Sequence, residues 1–138
     1  MGKIEYTYET RVRYKDIDAM GIVYYSRYYE FFEAARSDML RDMGLPYGEF
    51  EKSGFMMPVV ESHCKYLNGA TFDDLLKINC KINQYPKARL KINYLVETAH
   101  GEKIAEGYTI HGFLDDNGNV RRAPQNILKL FAKENDQN

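Results

Sequence analysis

The sequence is poor in several features that define large protein classes. Its 138 residues contain no tryptophan, four prolines and two cysteines. No stretch reaches the roughly 20 predominantly apolar residues that a membrane-spanning helix needs, and no apolar run follows Lys3 as it would in a secretory leader. We therefore expect a soluble, cytoplasmic protein that makes no contact with a membrane.

An excess of charge of either sign is also missing. Lysine and arginine together number 19 and aspartate and glutamate 20, so the formal net charge is −1. This balance argues against a nucleic-acid partner held by bulk positive charge, but it leaves room for a local basic patch that binds a phosphorylated ligand. A chain of this length fits one domain, residues 1–138.

The usual signatures of metal and nucleophile chemistry are absent. Cys64 and Cys80 lie in strand-like segments without a Cys-x-x-Cys spacing, so neither a disulfide framework nor a zinc site is indicated. No Gly-x-Ser-x-Gly elbow is present, and His63, His100 and His111 match no catalytic pattern. We expect no metal, no cofactor and no serine hydrolase.

Aromatic residues are abundant and concentrated around one predicted helix. There are 12 tyrosines and 7 phenylalanines, and nine of these rings lie between Tyr24 and Phe55. A helix is predicted from Ser26, a suitable N-cap, to Gly44, which suits the left-handed residue after a helix. Its apolar residues recur at helical spacing: Tyr28, Phe31, Phe32, Ala35, Met39, Leu40 and Met43.

The remainder of the chain reads mostly as strands. Alternation of apolar and polar residues predicts strands over 3–15, 59–67, 76–83, 89–96 and 103–114, a loose connection over 45–57 and a short helix over 124–131. One helix cannot cover both faces of a five-stranded antiparallel sheet. Either the sheet wraps around the helix or a partner covers the second face, and both arrangements favour an oligomer.

The acidic turn and the helix share one long pattern, Tyr14-x-Asp16-x-Asp18-x-x-Gly21-x-Val23-Tyr-Tyr25-x-x-Tyr28-x-x-x-x-Glu33-x-Ala35-Arg36. This pattern resembles the hotdog-fold thioesterases of the 4-hydroxybenzoyl-CoA thioesterase family. The likeness continues through Pro58-Val-Val and Tyr66 to Phe72-Asp73-Asp74-x-Leu76, and so runs from about residue 10 to about residue 125. It implies an α+β hotdog fold, with a long central helix wrapped by a five-stranded antiparallel sheet. It also implies a homodimer or homotetramer, with sheets joined edge to edge and active sites at the interface.

The resemblance implies roles for individual residues. Asp18 is the catalytic carboxylate that attacks an acyl-CoA thioester or activates water, and the backbone N–H of Tyr25 polarises the thioester carbonyl. A helix N-terminus supports this division because its unpaired N–H groups stabilise an oxyanion. Gly21 allows close approach of the ligand, and Tyr28 lines the acyl pocket or the core. Read without the family pattern, an aspartate before a helix is a turn former, and this is the role we expect for Asp16.

Basic residues are expected near the phosphorylated nucleotide of CoA. The family places comparable cations on the fourth strand and after the last turn. The candidates in this chain are Lys87, Arg89, Lys91, Arg121 and Arg122. For each of them, the ordinary alternative is a solvent-exposed charge that binds no ligand.

Three functions fit the sequence. The first is an acyl-CoA thioesterase that releases free acid and CoA. The second is a non-catalytic module that binds acyl-CoA or acyl-carrier protein, and the third is a hotdog dehydratase, for which His63 is the one candidate base. The sequence leaves open the acyl length, CoA versus carrier protein, dimer versus tetramer, and attack by Asp18 directly or through water. Glu33 and Arg36 are expected to form a solvated or interfacial pair.

Overall fold

The structure, a computed structural model, describes residues 4–136. The helices are α1 (Arg27–Asp42), α2 (Tyr47–Lys52) and α3 (Gln125–Asp136), with a 3₁₀ turn at Tyr14–Asp16. The strands are β1 (Ile4–Arg11), β2 (Phe55–Met56), β3 (Val59–Tyr66), β4 (Leu75–Ile82), β5 (Leu90–Thr98), β6 (Lys103–His111), β7 (Phe113–Asp115) and β8 (Val120–Arg121). No helix in this part of the chain is both long enough and apolar enough to cross a membrane.

Five strands form one antiparallel sheet in the order β1-β4-β5-β6-β3. The strands β1 and β3 lie at its two edges. Across the sheet, Tyr94 of β5 lies opposite Cys80 on one side and Gly107 on the other. A second, small sheet of β2, β7 and β8 lies beside it.

The helix α1 packs its apolar face on the main sheet. Phe32 is fully buried and stacks on Tyr94, with ring centroids 4.2 Å apart. Complete burial of a large apolar side chain is worth about 1.5–3 kcal/mol, and besides Ala35, α1 buries several such side chains: Tyr28, Phe31, Phe32, Met39 and Leu40. This packing holds the start of α1 in a defined place relative to the sheet.

The predicted arrangement of one long helix on a five-stranded antiparallel sheet is confirmed. Two strand boundaries were wrong. The first strand ends at Arg11, and the last is interrupted where the N–H of Gly112 donates to the carbonyl of Pro58. Residues 45–57 are more ordered than a loose connection, because they form α2 and β2 and bury Phe50 completely.

The C-terminal end of α1 agrees with the prediction, and its N-terminal end does not. Gly44 has φ +91°, the left-handed conformation expected after the helix. Ser26 stands at the N-cap position, but its own backbone is helical and its side chain makes no capping hydrogen bond. The turn is closed by the backbone, since Arg27 N–H donates to Tyr24 O at 2.9 Å.

Candidate active site

A tight turn before α1 presents Asp18. The N–H of Asp18 donates to Ile22 O at 2.9 Å, and the N–H of Gly21 donates to Asp18 O at the same distance. Gly21 has φ +79°, which an L side chain rarely adopts, so a glycine is favoured there for this turn. The turn therefore folds the chain back on itself directly before α1.

The carboxylate of Asp18 serves the turn with one oxygen only. Its Oδ1 accepts the N–H of Met20 at 2.8 Å. No hydrogen bond within residues 4–136 uses Oδ2, and Asp18 is half-buried and lines a cavity. Asp18 thus stabilises the turn with one carboxylate oxygen, and its second oxygen is available to a ligand.

This cavity has a volume of about 450 Å³ and lies where the turn, the start of α1 and the end of β3 meet. We call it the Asp18 cavity. Its lining consists of Asp18, Met20, Ile22, Val23, Tyr24, Tyr25, Tyr28, Tyr66, Leu67, Asn68 and Gly69. The surface is mainly apolar and rich in tyrosine, as a pocket for an organic acyl group would be.

Tyr66 ties the end of β3 to the start of α1. Its hydroxyl donates to the carbonyl of Tyr25 at 3.2 Å, and its ring lies 5.5 Å from that of Tyr28. Burial raises the pKa of Tyr28 to about 12 and raises that of Tyr66 as well. Both hydroxyls are therefore protonated at neutral pH and act as hydrogen-bond donors, not as bases.

The backbone before α1 offers an unpaired donor. Tyr25 lies two residues before the first residue of α1, slightly earlier than the first helical turn where it was expected. Within residues 4–136, no hydrogen bond uses its N–H, while its carbonyl is held by Tyr66. The positive end of the α1 dipole lies beside this group, so the cavity wall can stabilise negative charge on a bound oxygen.

Residues 12–131 match the thioesterase-like superfamily. The chain belongs to this superfamily. The acyl-CoA thioester hydrolase YbgC of Escherichia coli O6:H1 is 32% identical over 129 residues, which are 93% of this chain and 96% of that protein. These similarities to the superfamily and to YbgC agree with the fold described above.

Two solved structures share the fold over nearly their whole length. The hypothetical protein TT1821 from Thermus thermophilus has a TM-score of 0.86 and 31% identity, with 93% of this chain and 98% of that chain covered. The BH1999 gentisyl-coenzyme A thioesterase has a TM-score of 0.80 and 25% identity, with 88% and 98% covered. With YbgC, these relatives confirm the predicted hotdog fold and the prediction of an acyl-CoA thioesterase.

Asp16 has the structural role that was expected in this thioesterase-like protein. It is only 4% exposed, and its Oδ2 accepts the N–H of Arg13 at 2.9 Å. The Nε of Arg27 lies 4.0 Å from its other carboxylate oxygen. Asp16 therefore fixes the 3₁₀ turn from which the Asp18 turn begins.

The candidate cations are not brought to the Asp18 cavity within one chain. Lys87 and Arg122 line a separate depression of about 260 Å³. Arg121 pairs with Asp115 at 2.9 Å, Arg89 is exposed, and Lys91 lies over the ring of Tyr108. A single copy of this thioesterase-like chain thus separates the acidic turn from the basic residues.

Other candidates have no place in the cavity. His63 is exposed and stacks on Tyr108, with ring centroids 5.4 Å apart, so the dehydratase hypothesis has no base beside Asp18. Both cysteines are free thiols, and burial raises the pKa of each. The sequence did not predict Tyr66 or the residues that follow it as site residues, although Tyr66 was part of the likeness to the family.

Glu33 and Arg36 do not form the expected pair. No ion pair joins them, and Arg36 instead lies close enough to Tyr94 for its charge to oppose the effect of burial on the pKa of that hydroxyl. Tyr94 is the first member of a buried chain of hydrogen bonds. Its hydroxyl lies 2.7 Å from the hydroxyl of Thr109, which in turn lies 2.8 Å from Nε2 of His111. The other ring nitrogen of His111 lies 3.3 Å from the carbonyl of Met57.

These hydrogen bonds are compatible with a neutral His111. Burial, with the charge of Arg36 as a second cause, lowers the pKa of His111 to about 4. When Nδ1 carries the hydrogen, it donates to the Met57 carbonyl while Nε2 accepts the Thr109 hydroxyl. Each ring nitrogen of His111 then has a partner, and the hydrogen bonds link β5 and β6 to Met57, which comes two residues before β3.

Proposed function

We propose that this protein hydrolyses acyl-CoA thioesters in the Asp18 cavity. The observation that carries the proposal is the juxtaposition of two groups in one cavity wall. In the described part of the chain, one carboxylate oxygen of Asp18 has no hydrogen bond, and neither has the N–H of Tyr25 just before α1. A thioester carbonyl needs a nucleophile or base on one side and an oxyanion donor on the other.

In the proposed reaction the thioester carbonyl oxygen accepts the N–H of Tyr25. Asp18 attacks the carbonyl carbon, or removes a proton from a water that attacks it. The negative charge that develops on the carbonyl oxygen is stabilised by the N–H and by the α1 dipole. The C–S bond then breaks, CoA leaves as thiolate and takes up a proton, and the acyl group leaves as a carboxylate once water has supplied its oxygen.

Tyr28 and its aromatic neighbours hold the acyl group in this proposal. The ring of Tyr28 is buried and lines the Asp18 cavity, and the exposed rings of Tyr24, Tyr25 and Tyr66 also line it. Gly21 shapes the turn without a side chain that would block the approach. The cavity suits an apolar acyl group of moderate size, and no cofactor is needed for hydrolysis.

We infer a homodimer in which two copies pair through their β3 edges. All of β3 is exposed or half-buried, and Val60 keeps 48% of its surface accessible. An edge strand of eight residues offers a row of unpaired backbone groups to a second strand. Pairing of the same strand from two copies is a closed, two-fold arrangement.

Such pairing would complete the site. The start of β3, at Val59, lies in one row with His111 and Leu90, and Arg89 comes directly before that row. The Asp18 cavity lies at the other end, next to Tyr66. Antiparallel pairing about a two-fold axis sets the start of one strand beside the end of the other. It therefore brings four cations toward the cavity: the partner's Lys87, the partner's Arg89, the partner's Arg121 and the partner's Arg122. These cations then bind the phosphates of CoA.

The test is thiol release from a panel of short, long and aromatic acyl-CoAs. Asp18→Asn and Asp18→Ala are expected to lower kcat/KM by 100-fold or more, about 3 kcal/mol of lost transition-state stabilisation. Asp38→Asn is the matched control, because Asp38 lies on α1, pairs with Arg41 and does not line the cavity. If the wild type binds acyl-CoA without releasing thiol, the protein is a binding module and not an enzyme.

Three other expectations remain predictions of the sequence. They are the cytoplasmic location, the assignment of the whole chain, 1–138, to one thioesterase domain, and the absence of a nucleic-acid partner.

A further inference from the structure

A second cavity lies further along α1, outside the Asp18 cavity. It has a volume of about 270 Å³ and is enclosed by α1, α2 and the start of β3. Its lining is Glu33, Arg36, Ser37, Leu40, Tyr47, Met57, Pro58 and Val59. None of these residues belongs to the lining of the Asp18 cavity.

Arg36 is the one cation in this lining, and it is half-buried. No carboxylate among residues 4–136 lies within ion-pair distance of its guanidinium, although Glu33 stands three positions earlier on α1. The charge of Arg36 acts on the nearby Tyr94, where it opposes the rise in pKa that burial causes. A guanidinium has five N–H donors in a planar fork, so most of its donor capacity is available to a ligand.

Two hydroxyl groups add further donors. The hydroxyl of Tyr47 accepts the N–H of Met57 at 3.4 Å, which leaves its own hydrogen free to donate. Within the described residues, Ser37 makes no side-chain hydrogen bond, so its hydroxyl is also available. Among the lining residues, Glu33 is the one that carries a carboxylate, and it is exposed.

We propose that this cavity binds a carboxylate group, held by Arg36 and by the hydroxyls of Tyr47 and Ser37. One guanidinium matches a single carboxylate in charge and in its two-oxygen geometry. The remaining walls, Leu40, Met57 and Val59, are apolar and suit the carbon skeleton of an organic acid. The ligand class is therefore a small organic carboxylate.

The carboxylate has two sources that the structure allows. It can be a free acid, or it can be the distal end of an acyl group. The second source rests on the proposed function, because β3 pairing would set the Val59 end of one copy beside the partner's Asp18 cavity. The two sources are separated by experiment.

The first arm uses butyrate as the probe and the neutral amide, butyramide, as its matched control. Butyrate is expected to shift the NMR signals of Arg36 and Tyr47, and butyramide is not. Arg36→Gln should weaken butyrate binding about 10-fold or more, and Tyr47→Phe combined with Ser37→Ala about 3-fold or more. Arg41→Gln, the same change on an exposed part of α1, should leave it unaltered.

The second arm compares the hydrolysis of adipoyl-CoA with that of hexanoyl-CoA. If the acyl group supplies the carboxylate, Arg36→Gln raises KM for adipoyl-CoA at least about 10-fold and leaves KM for hexanoyl-CoA unchanged. An effect in the first arm alone identifies a free acid as the ligand. The proposal is overturned if neither butyrate binding nor the preference for adipoyl-CoA depends on Arg36.

Two further outcomes are distinguishable. If Arg36→Gln does not fold, the double variant at Tyr47 and Ser37 decides both arms, because it leaves Arg36 in place near Tyr94. If no acyl-CoA is hydrolysed at all, the proposed function fails. Butyrate binding by itself then tests whether this cavity binds a carboxylate.

Discussion

At the start of α1, a single hydroxyl connects two parts of the candidate site. Tyr66, at the end of β3, donates to the carbonyl of Tyr25 at 3.2 Å, and the N–H of the same Tyr25 is the proposed oxyanion donor. The rings of Tyr25 and Tyr66 also meet edge to face, 6.3 Å apart. Tyr66 is therefore a positioning residue in the proposed reaction: it acts through the backbone of Tyr25.

Tyr66→Phe should lower kcat about 3- to 10-fold and leave KM nearly unchanged. The ring remains to line the cavity, but the bond that orients the Tyr25 backbone is lost, at a cost of about 1 kcal/mol. Tyr108→Phe is the matched control, since that hydroxyl bonds to the exposed Glu61, away from the cavity. Steady-state kinetics with one acyl-CoA measure both variants, and an unaltered kcat in Tyr66→Phe would remove Tyr66 from the mechanism.

At the scale of elements, the buried chain of Tyr94, Thr109 and His111 connects β5 to β6, and the charge of Arg36 on α1 acts on both ends of it. The folded protein holds His111 neutral, with a pKa lowered from 6.5 to about 4 by burial. The unfolded chain takes up this proton near pH 6.5 and the folded chain only near pH 4. Protonation therefore favours the unfolded state, and the contribution of His111 to stability is complete above pH 6.5 and lost as the pH falls to 4.

The wild type should lose about 3 kcal/mol of unfolding free energy through His111 between pH 6.5 and pH 4. Urea unfolding at a series of pH values measures this loss. His111→Gln should reduce the dependence on pH by that amount, whereas His100→Gln, at an exposed position, should not. Equal slopes in the wild type and in His111→Gln would show that His111 is not the group that titrates.

At the scale of the whole molecule, the open edge of β3 determines how a second copy can bind. β1 is the other edge of the main sheet, and only β3 ends at the Asp18 cavity. Gly107 allows β3 to lie close to β6, because a Cβ there would clash with the carbonyl oxygen of His63. The sheet therefore holds β3 closely on one side and leaves its other side unpaired within the described residues.

Val60→Arg should convert the proposed dimer to monomer at concentrations where the wild type is dimeric. A charged side chain at an exposed edge position loses about 1–2 kcal/mol of apolar burial in each copy, which weakens association about 30-fold or more. Val120→Arg makes the same change at a valine that is 75% exposed on β8. Light scattering on a size-exclusion column measures the mass of each, and a dimer that persists in Val60→Arg would place the interface elsewhere.

Much of the fold could be predicted because its elements have regular spacing. The alternation Leu76, Ile78, Cys80 and Ile82 predicted β4, and the helical spacing from Tyr28 to Leu40 predicted α1. The sequence did not predict the break in the last strand near Gly112 or the presence of α2. The break depends on a backbone hydrogen bond to a distant residue, and α2 depends on the burial of Phe50. Local pattern carries no information about such contacts.

The sequence by itself determined the superfamily, the long helix and the acidic turn, because these depend on residues close together along the chain. Only the tertiary structure decided which side chains share a cavity. Tyr66 meets Tyr25 across 41 positions, and Arg36 forms no ion pair with Glu33 but lies near enough to Tyr94 to influence its pKa. The structure also separated Lys87 and Arg122 from Asp18, since strand order, which is set by packing over long sequence distances, places them apart.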